Sequence, residues 1–100
     1  MTDEGKLHED AGRGARAEAL LRDPLIVGAF RELEDAYTRA WRSTSIDNVA
    51  GREKLFLAVN IVGKVRDHLT KAVSDGQLAL AELRAIEQAA ERQKAWHDVK

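Results

Sequence analysis

Hydrophobic residues recur along this chain at helical spacing, and the polar breaks between them divide it into segments. The clearest stripe is Ile26, Phe30, Leu33, Tyr37 and Trp41, stepping by four, three, four and four, with Leu25, Ala29, Ala36 and Ala40 widening it. The opposite side carries Arg31, Glu32, Glu34, Asp35 and Arg39, so the segment predicts an amphipathic helix of about 20 residues, about 30 Å long. Asp23-Pro24 opens it: aspartate is a good N-cap, and proline fits the first turn because its missing N–H has no intrahelical partner there. Residues 43–48 read as a loop, since Ser, Thr, Asp and Asn side chains compete with helical hydrogen bonds, and Asp47 or Ser45 is the expected cap of the next helix.

A second stripe, Leu55, Val59, Val62, Leu69 and Val73, is interrupted by Arg66 and flanked by Ala58, Val65 and Ala72 at seven-residue spacing. It predicts a helix over about residues 49–74. Phe56, Leu57 and Ile61 carry the apolar surface nearly all the way round its first half, the mark of a buried helix. Gly51 and Gly63 lie inside it, each costing up to about 1 kcal/mol relative to alanine, so close helix contact is expected at Gly63. Asp75-Gly76 is expected to end this helix, glycine supplying a left-handed C-cap. A last helix over about residues 78–98 then carries Leu80, Leu83, Ile86 and Ala90 inward.

Upstream of the proline, Ala15, Ala17, Ala19, Leu20 and Leu21 predict a short helix over about residues 13–22, stable when docked. Residues 1–12, with Asp3, Glu4, Glu9 and Asp10 against Lys6, read as a disordered acidic leader. No segment alternates with period two. The expected fold is all-α, an elongated antiparallel helical bundle of three long helices preceded by one short helix, in a single domain over residues 13–100.

The lengths bear on assembly. A compact 100-residue globule has a radius of gyration of about 13 Å, whereas a helix of about 26 residues is about 39 Å long. Such a helix overhangs a monomeric bundle, which favours self-association over a monomer whose short helix folds across the open surface. Phe56, Leu57 and Ile61 are the candidate self-association residues. Trp96, where the last helix turns polar, is the candidate partner contact, because aromatic residues dominate binding hot spots. Trp41 is expected in the core with its indole N–H near the loop.

Composition narrows the function classes. The chain is 33% charged with a net charge of −1 and no cysteine, which removes disulfides, thiolate catalysis and cysteine zinc sites. The longest charge-free run in the expected core is residues 55–63, far short of the roughly 20 residues that cross a membrane. The acidic start resembles neither a signal peptide nor a transit peptide, so the expected location is cytoplasmic. His8, His68 and His97 are too scattered for a metal motif, and Asp67-His68 point about 100° apart on a helix. Gly12-Arg13-Gly14 comes after a polar stretch in place of a strand and lacks the ending of a phosphate loop. No enzyme, catalytic set, cofactor, metal or small-molecule substrate is expected.

Charge is unevenly spread. Residues 39–71 hold Arg39, Arg42, Arg52, Lys54, Lys64, Arg66 and Lys71 against Asp47, Glu53 and Asp67. Arg39, Arg42, Arg52 and Lys54 flank one loop and are the candidate nucleic-acid contact, through phosphate backbone. A helix-turn-helix reader is excluded, because the helix after the loop is too long and too apolar to be core and groove reader at once.

Ala17-Glu18-Ala19-Leu20-Leu21-Arg22-Asp23-Pro24-Leu25, then Ala29-Phe30, Ala40-Trp41-Arg42, Gly51-Arg52-Glu53-Lys54-Leu55 and Lys64-Val65-Arg66-Asp67-His68-Leu69, resemble small all-helical proteins of tailed-phage and prophage structural gene clusters, over about residues 13–83. The resemblance implies a role in virion morphogenesis or DNA packaging. Partners would be the protein itself and other phage structural or packaging proteins, in the host cytoplasm or the virion. The leading expectation is a non-enzymatic, self-associating helical protein of phage particle assembly, and the alternative is a DNA-packaging or DNA-binding accessory.

Overall fold

The computed structural model describes residues 3–98 and contains three helices: α1 (Glu4–Arg22), α2 (Pro24–Ser43) and α3 (Val49–Asp98). α1 and α2 are separated only by Asp23, in extended conformation at φ −70° and ψ 120°, whose carboxylate accepts from the Leu25 N–H at 2.9 Å. Pro24 occupies the first helical position, as the sequence predicts. Both helices pack along α3 and barely touch each other.

Both also run antiparallel to α3. Gly14 of α1 meets Gly76, while Leu21 lies in the same groove as Arg66. In α2, Phe30 and Glu34 meet Arg66, and Trp41 meets Arg52. The molecule is therefore a long helical hairpin, one arm broken at Asp23 and the other continuous for 50 residues. Its principal extents are 81 × 28 × 15 Å and its radius of gyration is 22.0 Å. With α1 and α2 following one another along α3, the helices lie two abreast in a single layer. Elongation and antiparallel packing match the sequence expectation; the fourth helix does not, because the segments expected over residues 49–74 and 78–98 are one helix.

The expected break at Asp75-Gly76 is absent. α3 runs through it, and no described glycine has positive φ. Gly76 instead lets two backbones meet: a Cβ on Gly14 would lie 2.7 Å from the Gly76 Cα and 2.8 Å from the Ala72 carbonyl oxygen. Beside this crossing Ala17 and Ala79 are each 3% exposed, and they are the only buried apolar residues among those described. At Gly63, where the sequence predicts close approach, an added Cβ meets nothing within 4 Å. Small residues, not large ones, make the tightest seam here, because only they permit backbones to approach this far.

In place of the expected leader, residues 4–12 form the first half of α1. Asp3 caps it, its carboxylate accepting from the Lys6 N–H at 3.2 Å, and the Asp10–Gly14 turn is held against α3. The cap of α3 is also displaced. Asn48, rather than Asp47 or Ser45, accepts from the Gly51 N–H at 3.0 Å, while the Asp47 N–H donates to Ser45 Oγ at 3.3 Å.

Candidate functional site

The α2–α3 half of the hairpin is built on facing stripes of half-buried residues: Phe30, Glu34, Tyr37 and Trp41 on α2, and Leu55, Val59, Val62 and Arg66 on α3. Arg66, which interrupts the apolar pattern in sequence, is matched across the seam. Its guanidinium bonds the Glu34 carboxylate at 2.6 Å and lies 5.2 Å from the centre of the Phe30 ring. At the loop end Arg52 plays a similar part. It stacks 4.5 Å over the Trp41 ring and donates to the carbonyl oxygen of Thr44 at 3.0 Å and to that of Trp41 at 3.4 Å, which also accepts from the Thr44 N–H, so it ties α3 to the end of α2.

Each stripe has two flanks. Residues one position before the seam, Ala29, Leu33, Ala36 and Ala40 on α2 and Ala58, Ile61 and Val65 on α3, are apolar, the exception being Lys54 at the loop end. Those one position after it, Arg31, Asp35, Thr38 and Arg42 with Phe56, Asn60, Gly63 and Asp67, are mostly polar. Two antiparallel right-handed helices are related by a two-fold axis normal to their layer, so equal offsets from the seam fall on the same face. The α1–α3 half shows this directly: Arg13, which precedes Gly14, lines one cleft with His68, Lys71 and Asp75, which precede Leu69, Ala72 and Gly76. The α2–α3 half therefore has an apolar face and a polar face, and the apolar face gives way to a charged one alongside α1.

The candidate self-association residues divide accordingly. Phe56, Leu57 and Ile61 are all exposed, at 59%, 53% and 59%. Ile61 lies on the apolar face and Leu57 on the outer edge of α3. Phe56 is on the opposite face, beside Trp41, Ile46, Val49 and Arg52. Leu33, Ala36 and Val65, all exposed in the structure, complete the face with Ile61; in the sequence they are legible only as members of stripes. Trp96 is exposed at 69% on a stretch of α3 that neither other helix covers.

The four candidate nucleic-acid residues do not converge. Arg52 is committed to Trp41 and Thr44. Arg39 donates to the Asp35 carbonyl at 3.3 Å and shares a groove with Asp35 and Arg42, whereas Lys54 precedes Leu55 and so takes the other face. Among the described residues no group of three His, Asp or Glu side chains is placed to hold a metal ion, and no helix is long and apolar enough to cross a membrane. Comparison of the chain with protein-family models, curated proteins and solved structures finds no match.

Proposed function

We propose that this chain is a non-enzymatic helical interaction protein that works by protein contact, first with copies of itself, in phage particle assembly. The observation that carries self-association is the single layer. Helical domains bury their apolar stripes between at least two packed layers, yet here the described large apolar side chains all remain at least partly exposed. The accessible surface is 8096 Å², against about 5,700 Å² for a compact monomer of this mass. The excess of about 2,400 Å² exceeds the roughly 800 Å² that each partner contributes to a standard interface. What supports the phage setting is the sequence resemblance.

Light scattering at tens of micromolar tests the first part: the expected mass is a multiple of 11.1 kDa, and a clean monomer overturns it. For the setting, the tagged protein is recovered from prophage-induced cells. Capsid, tail or packaging proteins are expected with it, and their absence rejects the assignment.

A further inference from the structure

The apolar face of the α2–α3 half has an identifiable occupant. We infer that it packs against the same face of a second copy, so that two hairpins form a four-helix segment about a two-fold axis while their α1–α3 halves extend from opposite ends. This rests on the self-association proposed above and goes further in naming the surface and the arrangement.

Three features carry it. Apart from Lys54 at its loop end, the face bears no charge at its α2 positions from Ala29 to Ala40 or at its α3 positions from Ala58 to Val65, so over that length it needs no complementary charge pattern and is self-complementary, as a two-fold interface must be. Its two ridges are already antiparallel and neighbouring, which is half of a four-helix bundle, and alanine at three of the four α2 positions allows a second helix to approach closely. Finally, the face stops where charge begins. Alongside α1 the same side presents Arg13, Arg16, His68, Lys71 and Asp75. Complete overlap of two parallel copies would stack these groups on one another and take them out of water, at a cost in desolvation. An antiparallel half-overlap covers the apolar half and leaves the charged half solvated.

The arrangement has a measurable length. Two molecules of 81 Å overlapping along a 20-residue α2, about 30 Å at 1.5 Å per residue, give a particle about 130 Å long. X-ray scattering of the full chain should return this maximum dimension at the mass of a dimer; a dimer no longer than one hairpin overturns the half-overlap. Leu33→Glu and Ile61→Glu should each turn the dimer to monomer with helical circular dichroism retained, whereas Phe56→Glu, on the other face, should leave it dimeric. Loss of the dimer in F56E alone means that copies associate through a different face, which refutes this inference and leaves self-association standing. A wild-type chain that is monomeric at every concentration refutes both.

Because a charged variant can also unfold, a second readout uses the absence of native cysteine. An environment-sensitive dye on Ala36→Cys should shift to the blue as concentration rises through dimerisation. The same dye on Asp35→Cys, which lies on the polar face with Thr38 and Arg42, should not. Equal shifts at both positions, or a shift at Asp35→Cys only, overturn the assignment of the face.

Discussion

Glycine substitutions separate the two roles this residue takes in α1 and α3. Gly14→Ala gains helix propensity, but its Cβ would stand 2.7 Å from a backbone carbon and 2.8 Å from a backbone oxygen of α3, neither of which can rotate away. Prying the helices apart should outweigh the gain, with a net loss of about 1–3 kcal/mol in urea unfolding. Gly63→Ala meets nothing within 4 Å and should stabilise by about 0.5–1 kcal/mol. The opposite signs check the seam directly. Gly76 is misleading in sequence because Asp-Gly is a strong stop signal considered locally. Its register points elsewhere: Leu55, Val62, Leu69, Gly76 and Leu83 fall seven residues apart, the repeat of a helix packed along one seam. Arg52 shows a different limit. Its basic charge suggests phosphate, but charge alone does not say which acceptors lie within reach, and the nearest belong to the end of α2. Arg52→Ala should therefore cost about 1–2 kcal/mol of stability and shift the Trp41 emission. Lysine should not restore it, lacking the planar fork that stacks and donates together.

Among the elements, α2 is the most legible in sequence, since a regular apolar stripe, an Asp-Pro start and a polar loop at its end all agree. α1 is the least. Its first half has one large apolar residue, Leu7, so nothing in its hydrophobic pattern announces a helix; its partner is the row Ala72, Gly76 and Ala79, against which Gly14 and Ala17 fit because they are small and Asp10 through its backbone carbonyl. Hydrophobicity scales see no signal in complementary small residues, although the contact between backbones is the closest in the seam. The continuity of α3 has the same origin, because a docked glycine costs helix propensity without ending the helix. Beyond it, the antiparallel register set by Gly14 and Gly76 brings Glu4 level with about residue 86 at equal rise per residue, and residues 87–96 are all exposed. Hydrogen exchange should report this division. Amides of residues 69–83 are expected among the slowest, and those of residues 87–96 to exchange as a fraying helix end does. Uniform protection along α3 would mean that the overhang is covered, and Trp96 would then show a blue-shifted emission.

At the scale of the whole molecule, chain length against helix length predicts that the protein overhangs a globule, and the radius of gyration of 22.0 Å against about 13 Å for a compact chain bears this out. Which faces stay open is not legible, because a stripe in sequence fixes an angle on one helix and says nothing of its neighbour's position until the hairpin is formed. That architecture carries a thermodynamic consequence. A single helical layer with Ala17 and Ala79 as its buried apolar residues has little interior to resist unfolding, so the second layer of the proposed dimer would add to its stability. In the proposed dimer unfolding is coupled to dissociation, and the folded dimer gains RT ln 10, about 1.4 kcal/mol, for every tenfold rise in concentration. For a particle of two such chains this raises the melting temperature by about 3–6 °C per decade. Melts from micromolar to hundreds of micromolar should show that slope for the wild type. In Leu33→Glu they should become flat and fall to the temperature of the lone hairpin. A concentration-independent melt for the wild type would place its stability within one chain and remove the reason for a second layer.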